Sequence, residues 1–135
     1  MTFEQIKSDI HSRKFKPVYL LMGDEPYYID ELTESLVNTV LPEEERDFNQ
    51  TILYGMETDV ASVITLARSF PMMSEYQLVV VKEAQNLSKI EELEVYVRNP
   101  LQSTILVLNY KNGTLDKRKK LYAEIDKHGI TFESK

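Results

Sequence analysis

The chain has 135 residues, 42% of them hydrophobic and 28% charged, ordinary values that exclude a fibrous or disordered polymer and leave room for one domain, 1–135. Sixteen basic residues stand against 22 acidic ones, a formal net charge of -6, a poor balance for a surface that grips a nucleic-acid backbone all over. There is no cysteine, and the two histidines, His11 and His128, lie far apart, which excludes disulfides, thiolate catalysis and iron–sulfur clusters and argues against a metal centre.

Thr2-Phe3-Glu4-Gln5 predicts a helix start, with Thr2 as cap and Gln5 reaching back. Phe3, Ile6 and Ile10 follow at helical spacing, and Phe15-Lys16-Pro17 ends the helix. Val18 to Met22 is a near-continuous apolar run suited to a strand buried on both faces. Gly23-Asp24-Glu25-Pro26 turns the chain into a helix whose inner face carries Ile29, Leu32, Leu36 and Val40, closed by Pro42. A second strand is predicted from Gln50 to Tyr54. Thr58 then caps a helix with Val60, Val63, Ile64 and Ala67 inside, stopped at Pro71. Leu78 to Val81 is a third strand. Ser88-Lys89-Ile90-Glu91 reads as a second capping box, opening a helix that Pro100 ends. Thr104 to Tyr110 is the fourth strand, a helix from Leu115 to Ile125 ends at Gly129, and Ile130 to Glu133 is the fifth strand. Strands alternating with helices predict an α/β fold, a mostly parallel sheet with helices on both faces. Met1 to Lys14 lacks the apolar centre of a signal peptide. No apolar run approaches the ~20 residues of a membrane span, so the expectation is a soluble, cytoplasmic protein without a membrane partner.

In open α/β sheets ligands sit at the carboxyl ends of the strands. The first such turn, Gly23-Asp24-Glu25-Pro26, holds one glycine of a phosphate-binding loop but neither its second glycine nor its lysine. Asp24, Glu25 and Asp30 repel a polyphosphate. At the tip of the third strand a nucleotide hydrolase carries an aspartate for magnesium. Here Lys82 stands in that place, followed by Glu83. Gly23, Asp24, Glu25, Lys82 and Glu83 thus frame a degenerate nucleotide site, with no cofactor, metal or catalytic residue expected. An active P-loop ATPase is the enzyme alternative. A receiver-like signalling domain is another, suggested by the acidic turn, although Lys82 cannot accept an aspartyl phosphate. Glu43-Glu44-Glu45-Arg46-Asp47 reads as a solvated acidic loop, and Lys117-Arg118-Lys119-Lys120 as a basic stretch on the last helix. The connection Ser69 to Tyr76 is apolar where loops are normally polar. Phe70, Pro71, Met72 and Met73 there suit an adaptable, pre-ordered surface for a protein partner.

These segments, in this order, resemble the N-terminal domain of the delta subunit of the bacterial DNA polymerase III clamp loader. Pro17 to Tyr27 is similar to that family's opening strand and degenerate phosphate loop. Phe70 to Val81 is similar to its clamp-contacting loop and following strand, and Thr104 to Leu108 with Asp116-Lys117-Arg118 to its later strand and helix start. The resemblance implies an AAA+-like core with strand order 5-1-4-3-2 that binds no ATP. It implies a subunit that is not itself an enzyme, serves a DNA polymerase, binds the ring-shaped sliding clamp through Phe70, Pro71, Met72 and Met73, and helps open the ring for loading on primed DNA. The family usually has leucine or phenylalanine where Met72 and Met73 stand. It further implies that other clamp-loader subunits are met through lid and collar domains that lie outside this chain, and that DNA is met only within the complex.

Overall fold

Strands with no polar face have none to give to water, so each has to lie between two layers. The computed structural model, which describes residues 1–135, meets that demand with a five-stranded sheet. The elements in chain order are α1 (Phe3–His11), β1 (Val18–Gly23), α2 (Pro26–Thr39), α3 (Arg46–Asn49), β2 (Gln50–Tyr54), α4 (Val60–Ala67), β3 (Gln77–Lys82), α5 (Glu94–Val97), β4 (Thr104–Lys111), α6 (Lys120–His128) and β5 (Ile130–Ser134). The strand order is β2-β3-β4-β1-β5, and every pairing is parallel. Read from the other edge this is 5-1-4-3-2, as the resemblance implies. It is not the 2-1-3-4-5 order of receiver-type folds, because β4 lies between β1 and β3, so the signalling alternative fails on topology.

Side chains alternate between two cores. Val18, Leu20, Met22, Val79, Val81, Leu106 and Leu108 face α4, α5 and α6. Tyr19, Leu21, Leu78, Val80, Ile105 and Val107 face α1 and α2. Each central strand is therefore apolar on both sides, which is why the runs at β1, β3 and β4 are continuous.

Strand positions agree with the sequence reading to within a residue or two, but several helix limits do not. The first helix stops at His11, with Arg13 left-handed at φ 60°, so the break precedes Phe15-Lys16-Pro17. α4 is capped by Asp59, whose carboxylate accepts the Ser62 N–H at 2.7 Å; Thr58 is extended backbone ahead of the cap. α4 also ends at Ala67, ahead of Pro71. Ser88-Lys89-Ile90-Glu91 forms no capping box: Lys89 is left-handed at φ 56°, a 3-10 turn spans Ile90–Leu93, and only Glu94–Val97 is α-helical. The acidic block is no open loop; a 3-10 turn at Glu43–Glu45 runs into α3. Lys117, Arg118 and Lys119 precede α6, which begins at Lys120, and Leu115 is buried ahead of it. Gly129 does end α6, but with φ −141°; the residue is small because the Val18 main chain packs against it.

Candidate functional site

A parallel sheet has two distinct ends, because all carboxyl termini share one edge. At that edge Gly23 ends β1 with φ 125°, and a Cβ there would collide with the Ser134 main chain at the end of β5. The Ser134 hydroxyl accepts the Glu25 N–H at 3.0 Å, and the Glu25 carboxylate accepts the Tyr27 N–H at 3.4 Å at the start of α2. The helix N-terminus that would hold a phosphate is thus served by the chain's own oxygens. Asp24 is exposed. Lys82, at the end of β3, and Glu83, left-handed at φ 53°, lie across β4 from Gly23. The cation beside Gly23 is Lys111 of β4, its register partner, and Asp30 neutralises it at 2.9 Å.

The opposite edge carries the apolar tip. Phe70 is 75% exposed, Met72 62% and Met73 100%, with Pro71 half-buried between them. The tip joins α4 to β3 and therefore projects from the amino end of the sheet. Met73 is left-handed at φ 53°, a conformation costing an L-residue about 1–2 kcal/mol, so the loop holds its side chain outward at some expense.

What holds the tip is polar and buried. Asn49, 4% exposed at the end of α3, accepts the Met72 N–H at 2.6 Å and donates to the Met72 carbonyl at 3.0 Å and the Glu45 carbonyl at 3.1 Å. On the other side the Gln77 amide, at the start of β3, reaches the Leu66 carbonyl at 2.9 Å, the Ser69 carbonyl and the Thr104 hydroxyl at 3.0 Å. Thr104 in turn donates to the Ala67 carbonyl at 2.7 Å. The carbonyls of Leu66 and Ala67 at the end of α4, which have no partner in the helix, are thereby satisfied. Beyond the tip, Tyr76 stacks edge-on against Phe15 at 5.5 Å between ring centres, and Arg13 lies over Phe15 and reaches Glu75 at 3.7 Å.

Between α3 and the tip lies a cleft of about 340 Å³ lined by Glu44, Glu45, Phe48, Asn49, Met72 and Met73. Phe48 is 72% exposed. The basic stretch is more self-satisfied than its composition suggests. Lys117 pairs with Glu133 at 3.0 Å and Arg118 with Asp116 at 3.0 Å. Hydrogen bonds from Arg118 hold the Asp116 carboxyl down at about 2, and the bond to Glu133 holds the Lys117 ammonium up. No helix is long and apolar enough to cross a membrane.

The structure therefore brings Phe70, Pro71, Met72 and Met73 together on one exposed tip, and Gly23 and Glu25 together at the far edge. The sequence reading misses Asn49, Gln77, Phe48, Ser134 and Lys111. Phe48 alone had a local signal, an aromatic residue directly after an acidic run; the others depend on neighbours distant in sequence.

The family model for DNA polymerase III, delta subunit, matches residues 19–135. A curated relative, the DNA polymerase III subunit delta of Bacillus subtilis (strain 168), is 34% identical over an alignment covering 100% of this chain and 42% of its own length. Among solved structures, the Bacillus subtilis DNA clamp loader delta protein superposes with a TM-score of 0.87 at 29% identity over 98% of this chain and 42% of that one. A gamma subunit-related protein of DNA polymerase III from Thermotoga maritima (TM-score 0.61, 16% identity, 100% of this chain and 46% of that one) and a Thermotoga maritima RuvB mutant (0.57, 16%, 97% and 42%) share the fold, that of an AAA+-like core. The chain spans about 42% of the length of the two Bacillus relatives. With that match over most of its length, the chain belongs to the DNA polymerase III delta subunit family.

Proposed function

We infer that this chain is the clamp-binding, non-catalytic part of a clamp-loader delta subunit, binding the sliding clamp (the beta subunit) and helping to open the ring for loading on primed DNA. The observation that carries this reading is the tip: three large apolar side chains, Phe70, Met72 and Met73, displayed to solvent on a loop fixed from below by buried amides. Such a display costs solubility and gains the chain's own core nothing, so it fits a partner. The far edge supports the non-catalytic half of the reading. There Ser134 and Glu25 serve the helix start, and Asp30 neutralises the cation beside Gly23. Gly23, Asp24, Glu25, Lys82 and Glu83 are then the remnant of a nucleotide site. Other loader subunits and DNA are met in the assembled complex.

The test is Met72→Ala combined with Met73→Ala, measured for clamp binding and for melting temperature. Burying one methionine contributes ~1.5–3 kcal/mol, so losing two weakens binding at least about tenfold. The exposed side chains predict an unchanged melting temperature. A double variant that binds the clamp as tightly as the parent rejects the site.

A further inference from the structure

We propose that the cleft between α3 and the tip is the second half of the same interface, and that it receives an apolar side chain of the sliding clamp flanked by a lysine or arginine. This rests on the clamp-binding reading above and adds to it where the clamp is gripped and by what chemistry.

Four features lead there. Phe48 stands 72% exposed on a four-residue helix, facing the same cleft as Met72 and Met73. An aromatic ring and two methionines around one hollow make an apolar floor whose missing wall is a partner side chain. The two sides of the hollow cannot drift apart, because Asn49 clamps the Met72 main chain from the end of α3. Tip and cleft are therefore one pre-ordered unit, and a partner that meets the tip also meets the cleft. The rim, finally, has one sign. Glu44 and Glu45 line it, Glu43 and Asp47 flank them, and the one cation of the run, Arg46, is turned back to the Leu41 carbonyl at 3.2 Å. An anionic metabolite or a nucleic-acid backbone is repelled by such a rim, whereas a cationic residue beside an apolar anchor finds both halves of its match. At about 340 Å³ the hollow is at the small end of ligand sites, which suits a side chain better than a cofactor.

The test is surface plasmon resonance of this chain against the sliding clamp of the same organism at several salt concentrations, with melting temperature as the folding control. Phe48→Ala is expected to weaken binding about fivefold or more, through faster dissociation. Glu44→Lys with Glu45→Lys is expected to slow association and flatten its salt dependence, because rim charge acts on encounter. All three side chains are exposed or at the rim, so the variants keep the parent's melting temperature. If the Met72/Met73 double variant loses binding while the Phe48 and rim variants keep the parent's affinity and salt dependence, the cleft proposal is overturned and the clamp reading stands. If the unmodified chain does not bind the clamp, both fall.

Discussion

At the scale of single residues, the exposed apolar tip is governed by buried polar ones. Asn49 draws no reading from the sequence, because nothing local says which main chain an amide will meet. The fold brings Met72 to it from 23 residues away, and the amide then does what a neighbouring strand would do, offering one donor and one acceptor to one residue's main chain. Asn49→Ala leaves the Met72 N–H and carbonyl with no partner inside the chain, at a cost of about 1–3 kcal/mol. Urea denaturation reads that loss, and clamp affinity should fall as well even where the variant is fully folded, since the loosened tip must be ordered on binding. Asn49→Asp keeps the acceptor but sets a carboxylate against two carbonyls, so it should be no better than alanine. A variant with parental stability and affinity would mean that the tip is held by its covalent ends alone. Gly23 shows the opposite kind of illegibility. Its presence is visible in the sequence, and the phosphate-loop pattern supplies a ready reason for it, but the structure gives another: Ser134 packs where a Cβ would be.

At the scale of elements, what is legible is what repeats. The central strands β1, β3 and β4 are written as apolar runs, because a strand between two layers has to be apolar at every position, and the reading finds the half-exposed edge strands β2 and β5 as well. The starts and ends of helices rest on single residues and on tertiary packing, and there the reading slips. Thr58-Asp59 offers two capping side chains in succession. The backbone picks Asp59, whose φ and ψ of −139° and 167° are those of a cap, and the Ser62 N–H then holds its carboxyl below the usual range. Asp59→Ala is therefore expected to lower the melting temperature by a few degrees, and Thr58→Ala to leave it nearly unchanged. Equal effects from the two would show that α4 is fixed by its packing on the sheet, through Val60, Val63 and Ala67, and not by its cap. The Ser88-to-Glu91 motif fails for the same reason. Ile90 and Leu93 are both drawn into the core, and the tight 3-10 turn that buries them leaves no room for a regular first turn.

At the scale of the whole molecule, the parallel sheet separates two surfaces that the sequence lists side by side. The Gly23 turn and the apolar tip lie at opposite ends of the strands, so a partner on the tip does not touch the Gly23-to-Pro26 turn. That separation follows from parallel strands alone, whereas the strand order was legible only through the family resemblance, since apolar runs name strands without saying which are neighbours. The same view sets the expectation for DNA. The chain carries a net charge of -6, and its one basic stretch spends Lys117 on Glu133 and Arg118 on Asp116, leaving Lys119 and Lys120 without ion pairs. Each phosphate contact contributes about −0.9 to the slope of log K against log salt, so two free lysines predict a slope near −2 and weak, non-specific binding. Fluorescence anisotropy with a labelled duplex between about 50 and 200 mM salt measures it. Lys119→Glu with Lys120→Glu should remove most of the remaining dependence. A slope of about −5 or steeper, or a sub-micromolar dissociation constant at ~150 mM salt, would show instead that DNA draws Lys117 and Arg118 away from their carboxylates, making the loop before α6 a nucleic-acid surface in its own right.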